Sequence, residues 1–460
     1  MKKRIAIIGA GPAGCALACF LAERDIECIV FDDEKKPGLL VGESLVPAVI
    51  PLLRRLGIEK EVAQISSLKR GAALRHANGT RVDFRFRRFG SKFPNHSYNV
   101  PRPEFDRILL KRAEESGVKF INQRAKLEIP DTKVDSQRDI QLSSASLAQA
   151  ELTRDTQPQL IVDATGRSRL ISRLLKIPAK KGGRDDVSYF AHYEQFDSDA
   201  ILEGQVVQSV LDCGWSWQIP LKNALSVGVV LDKHVAKSYG ASPEERLEYA
   251  IDNNPMLSKS GAGRKRVSKV MSYSNYQLIT EQGSGKGWVL LGDAFGFVDP
   301  LLSPGLFMAL KSAEFLDDLV FSKAEYLEQP QLQDRLRLYC NETYAWHESW
   351  DSLIQYFYDG RLLSLAMVKE HILKNNGLFS LARLLEPHIS KILSSMVSGV
   401  KTRSKYNHSM LLHSCQHLLS DTDNISEYAI KSTGTLTSSP SIISNNTKTA
   451  KQEQQAATMT

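Results

Sequence analysis

The stretch Arg4-Ile5-Ala6-Ile7-Ile8-Gly9-Ala10-Gly11-Pro12-Ala13-Gly14 decides how the rest of the chain reads. Residues 4–8 are a short apolar run of the kind a fully buried strand shows, and residues 12–24 carry Ala and Leu at helical spacing. Between them lies a GxGxxG. Glycines there permit a tight turn and let backbone approach a pyrophosphate, while the helix N-terminus offers N–H donors and the positive end of its dipole. Residues 28–32 (Cys-Ile-Val-Phe-Asp) read as a second strand, so the order is strand, helix, strand, which requires a parallel sheet. Asp32 closes that strand 18 positions beyond Gly14, where a carboxylate can accept hydrogen bonds from a ribose. Gly9, Ala10, Gly11, Pro12, Ala13, Gly14 and Asp32 are therefore expected to bind a dinucleotide. The competing reading is a glycine-rich turn that binds nothing.

Residues 103–116 read as a helix and residues 160–166 as a strand running into a turn. Four short β-like runs fill 184–232 and suggest an inserted antiparallel sheet. Residues 288–292 return to a buried parallel strand, followed by a loop and a helix over Leu306–Phe321. The spacing predicts helices from about 331 to 420. The stretch 421–460 is rich in Ser, Thr, Asn and Gln and nearly free of aromatics. It cannot offset its ordering entropy by burying apolar area, so it reads as a disordered tail. The expected division is 1–183 and 284–330 as two parts of one nucleotide-binding domain, with an insert at 66–100. Residues 184–283 form the antiparallel substrate-side sheet, 331–420 the helical C-terminal region and 421–460 the tail.

Bulk properties exclude several classes. The chain has 460 residues, 42% hydrophobic and 24% charged, which suits a soluble globular protein able to enclose a cofactor. A net charge of +7 is modest for this length, and no nucleic-acid-binding motif accompanies it. The six cysteines form no CxxC pair and no metal-ligand cluster, which suits reduced thiols in a cytoplasmic protein without a metal. Met1-Lys2-Lys3-Arg4 mimics the start of a signal peptide, but Gly9, Gly11, Pro12 and Gly14 break the apolar run that follows. No stretch of 18 apolar residues suggests a membrane span.

Further motifs narrow the reading. Residues 288–305 read Trp-Val-Leu-Leu-Gly-Asp-Ala-Phe-Gly-Phe-Val-Asp-Pro-Leu-Leu-Ser-Pro-Gly. The segment resembles the strand-Gly-Asp stretch of the flavoprotein monooxygenase superfamily. That resemblance implies FAD, with Gly292 and Asp293 at the ribityl chain and Pro300 and Gly305 on the loop beside the flavin ring. For Asp293 a helix N-cap is the competing role. Val100-Pro101-Arg102-Pro103-Glu104-Phe105-Asp106-Arg107 resembles the same superfamily's VxRxxFDxxL segment, which places Arg102 against FAD and leaves Arg107 to a structural salt bridge.

Trp215-Ser216-Trp217-Gln218-Ile219-Pro220 matches the WxWxIP motif of flavin-dependent halogenases. Val41-Gly42-Glu43-Ser44-Leu45-Val46-Pro47 resembles the strap that runs beside their flavin, with Gly42 and Ser44 as contacts. Lys69-Arg70-Gly71-Ala72-Ala73 resembles the segment that carries their active-site lysine. The resemblance covers about residues 1–360 and is nearest to the pyrrole- and phenol-type enzymes. It implies a Rossmann-type α/β FAD-binding domain. In the implied chemistry, reduced flavin reacts with O2, a halide takes up the oxidising equivalent as hypohalous acid, and a lysine, here Lys69, holds that acid beside an aromatic ring. A solvated surface lysine is the alternative, because Lys69 opens a stretch of eight Lys and Arg in 24 residues with one carboxylate, Asp83.

Two departures bear on substrate. Leu302 stands where tryptophan halogenases carry a glutamate, which argues against free tryptophan. The halide site of the family, here Ser303 with Gly305, uses two backbone N–H groups after the serine, and Pro304 supplies none. The first expectation is thus an oxygenase that halogenates a pyrrole, phenol or indole. The second is a monooxygenase that hydroxylates such a ring, including a tryptophan of a peptide or protein. A flavin-binding protein without catalysis is the third. Thr165-Gly166 replaces the Asp-Gly pair that serves both FAD and NADPH in single-component hydroxylases, so a separate flavin reductase is expected as partner. The basic stretch suggests an acidic carrier protein as a second.

Overall fold

The computed structural model describes residues 3–24, 26–33, 39–131, 138–198, 204–274, 277–328, 330–365, 380–419 and 425–432. A six-stranded sheet runs in the order Ser284–Gly285, Trp288–Leu290, Leu160–Asp163, Arg4–Ile8, Glu27–Phe31 and Lys119–Ile121. Only the outermost pair at the Ser284–Gly285 edge is antiparallel. The central strands are buried on both faces, which is why they read as unbroken apolar runs. Helix Pro12–Glu23 follows the first strand, as expected. Two glycines lock this crossover: a Cβ on Gly9 would lie 2.5 Å from the Ala164 carbonyl oxygen, and one on Gly14 would lie 2.0 Å from that of Gly9. Gly9 also sits at φ +107°, which glycine alone adopts without strain.

The second sheet has eight strands and departs from expectation. Its path is Lys265–Arg266, Asp186–Glu194, Leu225–Asp232, Gly214–Pro220, Gln205–Leu211, Gly71–Arg75 and Arg81–Arg85, with Met271–Ser274 also pairing to Asp186–Glu194. It is not purely antiparallel, because Gln205–Leu211 pairs parallel with Gly71–Arg75. Two strands of the 66–100 stretch thus complete this sheet rather than decorating the nucleotide-binding part. Gly228 stands opposite Trp217 in the register, where any Cβ would meet the indole at 2.3 Å.

The helix expected over Leu306–Phe321 is α-helical over Gly305–Leu316 and widens to a π-turn over Asp317–Phe321. Helices Gln331–Tyr358, Ser380–Val397 and Lys405–Leu418 make up the C-terminal region. The expected tail needs correction at its start. Residues 425–432 pack on the body: Ile430 N–H donates to the Tyr358 carbonyl at 3.0 Å, and Tyr428 Oη contacts Asn78 Nδ2 at 3.1 Å and Thr80 Oγ1 at 3.2 Å. Two apolar anchors, Tyr428 and Ile430, suffice to order a short polar stretch. Residues 433–460 lie outside the described residues. No described helix is long and apolar enough to cross a membrane.

Candidate active site

A cavity of about 410 Å³ opens at the carboxyl ends of the parallel strands, facing the second sheet. Open α/β sheets place their ligands there, because loops diverge at that edge and helix N-termini point into it. Gly11, Pro12 and Ala13 form one wall. A Cβ on Gly11 would meet no protein atom, so hydrogen there keeps a groove open beside the helix. No side chain caps that helix, which leaves its first N–H groups for a ligand. Gly9, Ala10, Gly14, Asp32 and Gly292 do not line the cavity. They shape it from behind: the Ala10 N–H donates to Asp32 Oδ1 at 2.9 Å, and Gly292, at φ +59°, lies close against Ala13.

Asp293 faces the cavity, and among the described residues its carboxylate makes no hydrogen bond, so the helix-cap role does not apply. Burial raises its carboxyl to about 6, opposed by the nearby positive charges of Arg102 and Arg167. Arg102 is fixed by a two-point ion pair with Asp106, at 3.0 and 3.1 Å, and by donation to the Val41 carbonyl at 2.5 Å. The salt bridge of this segment therefore belongs to Arg102, while Arg107 is exposed. An acceptor without a partner, a cationic fork and uncapped helix N–H groups suit a ligand with hydroxyls and a pyrophosphate, which is what FAD presents.

Gly42 and Ser44 of the strap line the same cavity. Ser44 Oγ donates to Asn99 Oδ1 at 2.9 Å, and Asn99 Nδ2 donates to the Pro220 carbonyl at 3.1 Å. The next strap residue, Leu45, turns away from the cavity and accepts a hydrogen bond from Lys69 Nζ at 3.0 Å. Lys69 is 2% exposed, with the Phe86 ring 5.4 Å from its ammonium. Burial lowers it to about 7. It does not open on the cavity, so the strap stands between cavity and lysine. Period-two alternation explains the contrast with its basic neighbours: Lys69 points inward and Arg70 outward.

Trp215, Trp217 and Ile219 line the opposite wall from one face of strand Gly214–Pro220. The two indoles lie 5.7 Å apart. The loop after Asp299 closes the cavity with Pro300, Ser303, Gly305 and Leu306. Ser303 takes a left-handed backbone at φ +59°, and Pro304 begins the helix. The first intrahelical bond runs from Met308 N to Pro304 O, so the N–H groups of Gly305 and Leu306 have no helical acceptor. The donor missing at Pro304 thus has a successor one residue on.

Sequence reasoning missed four residues here. Glu43 lies between two strap positions already named and pairs with His192 Nε2 at 2.6 Å. Arg167 belongs to the Asp163–Ser168 segment and lies 5.3 Å over the Tyr273 ring. Gln208 reaches the cavity by strand register and Tyr358 stands behind its wall by helix packing, for which no local signal exists. Among the described residues, no cluster of three or more His, Cys, Asp or Glu could hold a metal ion.

The model of the tryptophan halogenase family matches residues 87–359, and that of an NAD(P)-binding Rossmann-like domain matches residues 7–47. A 1H-pyrrole-2-carbonyl-[peptidyl-carrier protein] chlorinase of Pseudomonas fluorescens is 29% identical over 335 residues, covering 67% of this chain and 73% of the relative. A tryptophan 2-halogenase of Chondromyces crocatus is 27% identical over 316 residues, covering 67% of this chain and 59% of the relative. The structure of the flavin-dependent brominase Bmp2 superposes with a TM-score of 0.71 at 19% identity, covering 90% of this chain and 100% of the other. At that identity the likeness speaks for the fold.

Proposed function

The chain belongs to the tryptophan halogenase family, and from that premise we propose that it is an FAD-dependent oxygenase that halogenates an electron-rich aromatic ring. Reduced FAD supplies two electrons to O2 and so the oxidising equivalent; in balance, FADH2, O2, halide, a ring C–H and one proton give FAD, the ring–halogen bond and two waters.

The protein's part is placement. The Pro12–Glu23 helix end and Arg102 would hold the phosphates, and Asp293 would accept from the ribityl hydroxyls. Gly305 and Leu306 N–H groups present two donors where a halide can exchange water for backbone. This supports halogenation over hydroxylation, since the argument against it was the proline. Trp215 and Trp217 crowd the wall and keep bulk water and substrate away from the cofactor.

The observation that carries the reading is Lys69, a buried amine one strap residue away from the cavity wall. With its proton affinity lowered to about 7, it can donate a hydrogen bond to the oxygen of hypohalous acid and polarise the halogen toward a ring. The ring is pyrrole, phenol or indole in class, other than free tryptophan. Reduced flavin comes from a separate reductase, and the substrate rides on an acidic carrier protein. Arg70, Arg85, Arg87, Arg88 and Lys92 are all exposed around the lysine and form the matching basic face.

The test is turnover with FAD, a flavin reductase and NADH, with and without bromide, on pyrrole- and phenol-bearing substrates, free and carrier-bound. Products are read by mass. A bromine isotope pattern is expected. A gain of one oxygen, unchanged by bromide, would overturn the reading in favour of hydroxylation.

A further inference from the structure

The turn Pro300–Leu302 leads through Ser303 into the helix Gly305–Leu316, so its backbone sets where that helix starts and how its free N–H groups point. Leu301, at its centre, is held at both ends. Its N–H donates to Asp299 Oδ1 at 2.9 Å, and its carbonyl oxygen accepts from Gln208 Nε2. The other oxygen of Asp299 is held as well: Tyr358 Oη donates to Oδ2 at 2.7 Å, and Gln277 Nε2 approaches it at 3.4 Å. Tyr358 Oη in turn accepts from Trp215 Nε1 at 2.9 Å.

One hydroxyl thus joins two walls of the cavity. On one side stands Trp215, and on the other the turn that aims the helix. Tyr358 is itself held firmly. It ends the long helix Gln331–Tyr358, and the Arg184 guanidinium sits 4.7 Å over its ring, bound to Asp186 through two contacts of 2.7 and 3.0 Å. Tyr358, Asp299 and Trp215 are all buried, so no water can replace a lost partner at ordinary cost. Tyr358 does not line the cavity and touches neither the cofactor space nor the free N–H groups.

We infer that Tyr358 is a positioning residue for halogenation, acting through Asp299 on the start of the helix Gly305–Leu316 and through Trp215 on the facing wall. The inference rests on the reading that a halide meets Gly305 and Leu306. It assigns to the C-terminal helix a part in halide use that its distance in sequence conceals. Freed of the hydroxyl, the turn samples more than one direction, and the two N–H groups converge on an anion for a smaller share of the time. Halide affinity falls, while FAD binding and flavin oxidation, which depend mainly on the Pro12–Glu23 helix end, Arg102 and Asp293, do not.

The test uses full-length protein with FAD, a flavin reductase and NADH, bromide varied, monochlorodimedone as the trap for hypobromous acid, and O2 uptake recorded in parallel. Tyr358→Phe removes only the hydroxyl. The apparent KM for bromide is expected to rise roughly tenfold, as the loss of one buried hydrogen bond implies. FAD affinity and the rate of O2 uptake stay within about twofold, because the helix end, Arg102 and Asp293 are not bonded to Tyr358. High bromide restores the ratio of bromination to O2 consumed. Asp299→Asn, which puts a donor where Tyr358 and Gln277 also donate, shifts the bromide KM in the same direction and keeps the question open to test if Tyr358→Phe does not fold. An unchanged bromide KM in the folded variant overturns the proposal. So does a fall in O2 uptake and FAD affinity in step with bromination, which marks a merely structural role. Wild-type protein that consumes O2 but brominates at no bromide concentration overturns the functional reading, and this proposal with it.

Discussion

Lys69 Nζ donates to the carbonyl oxygen of Leu45 at 3.0 Å, while the residue before Leu45, Ser44, lines the cofactor cavity. Consecutive residues of one strap therefore touch the cavity on one side and the buried lysine on the other.

Lys69→Ala is expected to lower product formation at least about a hundredfold, the usual scale for removing a positioned proton donor. O2 uptake by the reduced enzyme should continue, since the lysine lies outside the cofactor cavity. Parallel measurement of halogenated product and O2 consumed checks this. Equal losses in both would show that the lysine supports the cavity rather than the ring's reaction.

The buried lysine also predicts a pH effect on stability. Its folded value, about 7, lies below its ordinary 10.5, so the unfolded chain binds the proton more tightly. The penalty is fully present below about pH 7 and fades as pH rises toward 10.5, with a slope of at most about 1.4 kcal/mol per pH unit. Lys69→Met should be more stable than wild type at pH 6–7, and its advantage should shrink by pH 9–10. Denaturant midpoints at several pH values decide it. An advantage that grows with pH would contradict the burial.

Gly11→Ala and Gly14→Ala should fail differently. A methyl on Gly11 meets no protein atom, so the variant should fold and lose FAD affinity by at least about tenfold as the methyl occupies the pyrophosphate's approach. A methyl on Gly14 would collide with Gly9 backbone at 2.0 Å and should cost about 3 kcal/mol of stability. Flavin titration and thermal melts separate the two. A Gly11→Ala protein that binds FAD normally would move the cofactor elsewhere.

Reversing Arg85, Arg87 and Arg88 to Glu should raise the apparent KM for a carrier-bound substrate steeply and flatten its salt dependence, because exposed charges are screened over about 10 Å at 0.1 M salt. The same variant should handle a free ring as wild type does. If free and carrier-bound rings suffer alike, the basic face serves folding rather than docking.

Pro304→Ala should lower the bromide KM about fivefold, the scale of one added hydrogen-bond donor. No change in bromide KM would place the halide away from this helix end.

Much of this was readable in the chain. Buried parallel strands reveal themselves as apolar runs, and Gly9, Gly11 and Gly14 each answer to a separate local demand. Pairing over long separations was not readable. Gly71–Arg75 lies beside Gln205–Leu211 with some 130 residues between them, and nothing in either segment names the other. Basic neighbours kept a solvated Lys69 open as the alternative, because composition averages over both faces of a strand and only alternation separates them. Composition misled at the C-terminal side too: averaging over 421–460 hid Tyr428 and Ile430, which are enough to hold residues 425–432 in place. Gln208 and Tyr358 carry no motif, and only the packed structure brings them to Leu301.

That docked segment has a consequence for the order in which a nascent chain matures. The tip of the hairpin that follows Lys69 takes its last contacts, at Asn78 and Thr80, from Tyr428, some 350 residues later. A ribosome adding about 5–20 residues per second needs roughly 20–70 s to cover that span. Within that interval the parallel strands of the first sheet, the last of them Trp288–Leu290, are all made well before Tyr428, while the hairpin beside the lysine remains unfinished. The newborn chain can thus pair the strands of its nucleotide-binding sheet before the hairpin beside Lys69 takes its last side-chain contacts.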